Sequence, residues 1–146
     1  MNQLTSIENC FAKGLLKKTA KSKTLASQDI KQAEFFLSEA LDLVRFKKKE
    51  MAAIALYNAV FHAGRALLFR DGIKERSHYC LQKYLEEKYQ KPGLLSWEEA
   101  ALFDVLRGIR QEVQYGVTKM RFEENIAELC DKTEKFIEKT KTIIQA

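Results

Sequence analysis

The stretch Met51–Arg70, MAAIALYNAVFHAGRALLFR, constrains the fold more than any other part of this 146-residue chain. It contains no Pro and a single Gly, Gly64, and the pair Asp71-Gly72 that follows is a typical helix stop. A helix that is apolar nearly all round must be buried on most sides. We therefore predict that this stretch forms the central helix of the fold.

Three polar side chains interrupt the apolar surface of this helix. Asn58, His62 and Arg65 recur at i, i+4 and i+7, so they lie in one row. An unpaired buried polar group costs about 1–3 kcal/mol, so either neighbouring helices supply partners for the row or the row lines a functional site. An Arg in mid-bilayer costs about 2.5–3.5 kcal/mol on insertion scales, which argues against a membrane span. We expect a soluble, cytoplasmic protein with no membrane partner.

The rest of the chain also shows helical periodicity. Ser27 is predicted to cap a second long helix, the SWEE capping box at Ser96–Glu99 opens another, and the last helix is predicted from about Glu123 to Ile144. The apolar stripes of these helices include Ile30, Ala33, Leu37, Ala40, Leu41, Val44, Leu102, Val105, Leu106, Ile109 and Val113. No stretch alternates as a strand would. The sequence thus predicts an all-α fold, an up-and-down antiparallel bundle of five to six helices.

The first 26 residues are organised differently from the rest. We predict a short N-terminal helix and a basic connector in residues 1–26, and the helical bundle in residues 27–146. The connector, GLLKKTAKSKT, reads either as an arm for phosphates or an acidic partner, or as a solvated linker, which is the commoner case for charge runs. The net charge of +5 and a pI near 9.1 allow an anionic partner such as RNA, a nucleotide or an acidic protein without requiring one.

The cysteines and the rest of the composition limit the chemistry. Cys10, Cys80 and Cys130 are odd in number and widely separated, so we predict free thiols in a reducing compartment. The sequence has no Gly-rich phosphate loop, no H-x-x-x-H pair and no spaced acidic cluster. We accordingly predict no metal and no cofactor.

A set of polar residues in apolar surroundings remains as the candidate site. Its members are Asn58, His62, Arg65, His78, Arg110, Gln114 and Tyr115. In the structural interpretation His62 is a hydrogen-bonded core histidine, Arg65 pairs with a Glu of a neighbouring helix, and Arg110 extends its charge to solvent. In the functional interpretation these groups meet in one cleft, where Arg fixes a phosphate and His or Tyr moves a proton. Both interpretations stay open at this point.

Two segments taken together resemble a known family. ALYNAVFHAGRALLFRDGIKERSHYCLQKYL and the later LRGIRQEVQYG are similar to the HEPN superfamily, the higher-eukaryote and prokaryote nucleotide-binding domains, in its small stand-alone prokaryotic branch. The most specific part is the block from Tyr57 to Leu68. The resemblance implies a helical bundle that forms a homodimer, binds RNA or nucleotides, and is linked to nucleotidyltransferase partners in toxin–antitoxin pairs.

Active members of the family cleave RNA without a metal, using an Arg, a short polar spacer and a His to which both protomers contribute. Here the Arg corresponds to Arg110 and the spacer to Gln111–Gln114, but Tyr115 stands at the His position. A phenol with a pKa near 10 is a poor base at neutral pH. Tyr115 could instead hydrogen-bond or stack on a base, and His62 could replace the missing His, although no motif supports that transfer.

Three hypotheses follow. The first is a dimeric module that binds a partner, a nucleotide or RNA without cutting it. The second is an endoribonuclease toxin that uses Arg110 together with His62 or Tyr115. The third is a structural dimer whose polar row only sets the register of the helices.

Overall fold

The computed structural model describes residues 3–116 and 125–146, and it shows a helical bundle with a small strand pair beside it. In chain order the elements are α1 (Ser6–Ala12), β1 (Leu16–Lys18), α2 (Lys23–Arg45), α3 (Lys49–Asp71), β2 (Ile73–Glu75), α4 (His78–Leu85) continued by a π-helical turn (Glu86–Gln90), α5 (Trp97–Tyr115) and α6 (Ile126–Gln145). The prediction of an all-α bundle is confirmed. Sequence periodicity missed the two strands because each has only three residues.

The central element is α3, as predicted, and it packs against α2, α5 and α6. Its contact with α2 is close because small side chains recur every seven residues on both helices. Fully buried alanines at this spacing are Ala26, Ala33 and Ala40 on α2, and Ala52, Ala59 and Ala66 on α3. A connection of three residues, Phe46–Lys48, makes the two helices antiparallel neighbours. This hairpin sets the positions of the polar groups on its two helices.

The helix ends confirm some of the predicted caps and correct others. Gly72 adopts the left-handed conformation after α3, and the capping box at Ser96–Glu99 is present. The predicted cap at Ser27 is wrong: Ser22 caps α2, its Oγ accepting from the Leu25 N–H at 3.0 Å. α6 begins after an Asn125 cap, and the predicted start near Glu123 lies outside the described residues.

Two residues predicted to face the core are instead partly in solvent. Leu41 is 43% exposed and Val105 is 38% exposed. Both lie at the margin of their helical stripes, where periodicity alone cannot say how far the neighbouring helix extends. The other residues predicted for the α2 and α5 stripes are buried or partly buried in the core.

α4 does not end at Leu85 but widens into the π-helical turn Glu86–Gln90. The Tyr84 and Tyr89 hydroxyls both donate to Asp71 Oδ2, at 2.9 and 2.6 Å. Five residues of a regular α-helix turn through about 500°, which would point these two rings in different directions. The wider turn brings both to the carboxylate that ends α3. Burial, followed by the Asp71 charge and hydrogen bonds, raises the pKa of both phenols, so they remain donors.

The N-terminal segment is more ordered than predicted. A short helix is present, α1, but the stretch predicted as a basic connector contains β1, which pairs antiparallel with β2. Leu16 is buried and faces the bundle, whereas Lys17 and Lys18 are exposed. The two strands lie far apart along the chain, so the run of lysines shows no periodic pattern from which their pairing could be predicted. The division of the chain at residue 26 stays a prediction.

The prediction of three free thiols is wrong for two of them. Cys10 of α1 and Cys80 of α4 form a disulfide across 70 residues, while Cys130 is free and buried in α6. Spacing in the sequence gave no sign of the pair because α1 and α4 meet only in the folded chain. The disulfide attaches the N-terminal segment to the bundle.

Among the described residues one helix, α3, is long and apolar enough to cross a membrane. Of its most apolar window, 72% is buried inside the protein by the surrounding helices. This burial is that of the core helix of a soluble domain.

Candidate functional site

The polar row of α3 finds its main partner on α2. The carboxylate of Asp29, which is buried, accepts two hydrogen bonds from Arg65, from Nε to Oδ2 and from Nη2 to Oδ1, both at 2.8 Å. His62 Nδ1 lies 3.0 Å from Oδ1 of the same carboxylate. Arg65 Nη1 also lies 3.8 Å from Glu75 Oε1 on β2. Two cationic or polar groups of one helix therefore share a single buried carboxylate of its neighbour.

The charges of this cluster are stabilised mutually. Burial alone would raise the pKa of Asp29, but the hydrogen bonds from Arg65 and His62 outweigh it, so that the pKa lies below its usual value. Glu75 differs: burial raises its pKa more than Arg65 lowers it. Because an ionised carboxylate only accepts, we assign the proton of His62 to Nδ1. Its Nε2 is then the nitrogen left to accept a proton or a hydrogen bond.

A second group forms where α3 meets α4 and α5. The Tyr57 hydroxyl lies 2.6 Å from His78 Nδ1, and the Phe61 ring stacks on the His78 ring with centroids 4.1 Å apart. The guanidinium carbon of Arg110 lies 5.0 Å from the centroid of the Tyr57 ring, within cation–π distance. Arg110 makes no ion pair with a carboxylate in the described parts of the chain.

The pKa directions define the hydrogen-bond roles in this second group. Burial raises the pKa of Tyr57, although Arg110 and Arg107 act in the opposite direction. Burial, and then the charges of Arg110, Arg65 and Arg107, lower the pKa of His78. Near neutral pH Tyr57 therefore donates to Nδ1 of a neutral His78. The proton of the imidazole is then on Nε2, a donor available to a ligand.

Phe61 connects the two groups. Its ring meets His62 edge to face at 5.5 Å, lies 5.6 Å from the Arg65 guanidinium carbon, and stacks on His78. His62 is also stacked on Phe36 of α2 at 5.4 Å. The whole set, called the α3 cluster below, consists of Asp29, Tyr57, Phe61, His62, Arg65, His78 and Arg110.

Four of the seven candidate residues therefore lie in one connected cluster: His62, Arg65, His78 and Arg110. Asn58 is half-buried in the same row of α3, with no side-chain hydrogen bond to another described residue. Gln114 is exposed near the end of α5. The predicted catalytic set of Arg110, Tyr115 and His62 is not assembled within one chain. Tyr115 is 72% exposed and points about 140° away from Arg110 around the helix.

Sequence reasoning missed four members or neighbours of the cluster: Asp29, Glu75, Tyr57 and Phe61. A signal existed for Asp29, because it falls on the buried stripe of α2 with Ala33, Phe36 and Ala40, and a carboxylate there needs a cation. Tyr57 and Phe61 looked like ordinary core aromatics, and Glu75 belongs to a strand that was not predicted. No cluster of three or more His, Cys, Asp or Glu side chains suited to a metal occurs in the described ranges.

The fold and this cluster define a class of protein: an all-α domain built on a long central hairpin, with Arg and His groups gathered along its middle helix. The sequence matches the model of the HEPN domain over residues 26–143, and the chain belongs to that family. HEPN domains are in general linked to nucleotides and RNA. A comparison with curated proteins finds no match. α1 and β1 lie before the first matched residue.

Proposed function

We propose that this HEPN protein is a dimeric binding module for RNA or nucleotides that does not cut its ligand. The observation that carries the proposal is the state of Arg110. Arg65 is occupied by Asp29 and Glu75, whereas Arg110 lies over the Tyr57 ring and pairs with none of the described carboxylates. An Arg held in this way presents its donors to a planar anionic group such as a phosphate.

His78 adds a second donor beside Arg110. Its Nδ1 is engaged by Tyr57, and its ring is partly exposed, so Nε2–H is free to contact a ligand. The exposed Tyr115 provides an aromatic ring for an unpaired base. Arg110 and His78 would thus bind the phosphate, and Tyr115 would stack on a base at a separate point on the surface of α5. Asp29, Arg65 and Phe61 would hold α2 and α3 in position behind them.

Binding is tested with fluorescein-labelled single-stranded RNA and with a labelled mononucleotide. Arg110→Ala should weaken binding about tenfold or more, as expected for the loss of a charged contact of about 1.5–3 kcal/mol. Arg45→Ala is the matched control, because Arg45 is 77% exposed and its one ion pair among the described residues is with Asp42. Equal affinities of the two variants would refute the proposed site, and failure of the parent protein to bind would refute the function.

The endoribonuclease function is the second candidate, and one contact favours it. Asp29 holds the Nδ1 of His62, so Nε2 could take the proton of a 2′-hydroxyl. Against it, Tyr115 replaces the family His, and His62 has only 17% of its side chain exposed. With EDTA present we expect the purified protein to leave labelled RNA intact. Cleavage by the parent, lost in both His62→Gln and Arg110→Ala, would replace the binding function with this one.

The partners form part of the same proposal. Two protomers would face each other with their Arg110 side chains in one cleft, and a nucleotidyltransferase would be the partner protein of a toxin–antitoxin pair. Sedimentation equilibrium should give twice the chain mass, and a monomer at all concentrations would contradict the dimer. Co-purification with the product of a neighbouring gene tests the second partner.

RNA binding also implies a cytoplasmic location, where glutathione keeps most thiols reduced. The Cys10–Cys80 disulfide makes that location testable. In cells lysed in acid and treated with a maleimide reagent, a cytoplasmic protein should be alkylated at both cysteines. Protection of both residues would indicate an oxidising compartment.

A further inference from the structure

The β1–β2 pair has an outward face that carries only cations and small or half-buried groups. Lys17 pairs directly with Lys74, and the Arg76 N–H donates to the Leu15 carbonyl at 2.9 Å, which extends the ladder by one residue. Side chains alternate between the faces of a strand. Lys17, Lys74 and Arg76 therefore share the outer face, while Leu16 and Glu75 point towards the bundle.

The charges on this face form no ion pair with a carboxylate of the described residues. Lys17, Lys74 and Arg76 are exposed, and none lies within 4 Å of a carboxylate there. Glu75, the acidic residue of β2, turns inward to Arg65. Like charges directly opposite each other on two strands are destabilising, so the Lys17–Lys74 pair is a cost that the apo fold carries. A bound anion would neutralise these charges and so remove this destabilisation.

The face is held firmly and lies next to the α3 cluster. The ladder with β2 and the buried Leu16 attach β1 to the bundle, and the Cys10–Cys80 disulfide adds to this attachment in the oxidised protein. Through Glu75, β2 contacts Arg65 of the cluster, and His78 begins the next helix three residues later. A strand of nucleic acid leaving Arg110 and His78 would need to travel only a short distance to reach this face.

We propose that Lys17, Lys74 and Arg76, called the basic ribbon, bind the phosphate backbone of a single-stranded RNA whose next nucleotides occupy the α3 cluster. The inference rests on the proposed function and adds a second contact surface, to which the segment ahead of the HEPN match contributes one of the three residues, Lys17. RNA fits better than an acidic protein, because the exposed groups of the outer face are cations and protein interfaces need an apolar centre. Lys74 and Arg76 are about 7 Å apart along β2, an interval suited to successive phosphates.

The test measures RNA affinity against salt for the triple variant K17Q/K74Q/R76Q. Each neutralised phosphate of a single strand contributes about 0.7 to the slope of log K against log[salt], so three lost contacts should lower the slope by about 2. Affinity for a labelled oligouridylate at low salt should fall at least tenfold. Affinity for labelled UMP, which reaches only the α3 cluster, should not change.

The matched control is K31Q/K135Q/K139Q, which removes the same charge from exposed positions on α2 and α6. Circular dichroism establishes that both variants fold. If the salt slope of the triple variant equals that of the control and RNA binding is intact, the proposal of the basic ribbon is refuted and the proposed function is not. Weaker binding of polyglutamate with unchanged RNA binding also overturns it, in favour of an acidic protein. A parent protein that binds no RNA overturns both proposals.

Discussion

The contacts of Asp29 explain why His62 and Arg65 lie on a helix that is otherwise apolar. Its side chain is 6% exposed and it satisfies both His62 and Arg65, two of the three polar groups that made α3 unusual. The structural interpretation of Arg65 as an ion-paired residue is therefore correct, although the partner is an Asp of α2 and, at longer range, Glu75 of β2. Arg110 has no such partner among the described residues, so it is the arginine that we assign to ligand binding.

At the residue scale we first predict the effect of Asp29→Asn. The change removes the nearer of the two carboxylates that Arg65 pairs with and should lower the free energy of unfolding by about 1–3 kcal/mol, reduced from the fully buried case because Arg65 is one-third exposed. Chemical denaturation measures it. Asp42→Asn, at an exposed pair with Arg45, should change stability by less than about 0.5 kcal/mol.

The same residue predicts a pH dependence. The pKa of Asp29 is lower in the folded state than in the unfolded chain, so its contribution is complete above about pH 3.9 and is lost as the pH falls to the folded-state pKa. Denaturation of the parent between neutral pH and about pH 3 should show this loss, and Asp29→Asn should show less of it. Parallel profiles for the two proteins would contradict the prediction.

His78 gives a second prediction at this scale. Burial and the nearby arginines lower its pKa, so its NMR titration midpoint should lie below about 6.5. Arg110→Ala should move the midpoint upward, but not to the unfolded value, because burial is the larger cause. The stability that His78 contributes is complete above the unfolded pKa and is lost as the pH falls to the folded one. A midpoint unaffected by Arg110→Ala would place the guanidinium far from the ring.

At the element scale, the crossing of α3 over α4 and α5 depends on Gly64. A Cβ there would lie 2.9 Å from both Leu85 Cδ1 and Phe103 Cζ. We predict that Gly64→Ala lowers stability by about 1 kcal/mol, since overpacking outweighs the gain in helix propensity.

Gly108 on α5 is the matched control, with nothing within 4 Å of its Cβ position. Gly108→Ala should raise stability by about 0.5–1 kcal/mol in thermal unfolding. Changes of equal sign would show that α3 does not cross so closely.

The elements also show where pattern reasoning succeeds. The long apolar run predicted α3, and the SWEE box predicted the start of α5, because caps and periodic burial depend on residues within one or two turns. Periodicity gives no sign of the π-helical turn after α4, which Asp71 and the two tyrosines stabilise. The partner of that turn lies on another helix.

At the scale of the whole molecule, the disulfide joins the segment before the HEPN match to the bundle. It closes a loop of 70 residues, for which the chain-entropy model gives about 4 kcal/mol and measured cases about 2–4 kcal/mol. Replacing Cys10 and Cys80 together by Ala should remove this free energy of unfolding and so lower the melting temperature relative to that of the oxidised parent. Reductant should lower the melting temperature of the parent but not that of the double variant. A parent insensitive to reductant would show that the cysteines are not bonded.

The amino-acid sequence by itself determined the all-α class, the central helix, its polar row, the capping box and the HEPN resemblance. All of these features depend on residues that are close together in the sequence, because hydrogen bonds and burial repeat at helical spacing. Only the tertiary structure decided that Asp29 meets Arg65, that β1 pairs with β2, and that Cys10 bonds to Cys80. These three are pairings across 36 to 70 residues. They depend on the path of the chain through space, and side-chain periodicity carries no record of that path.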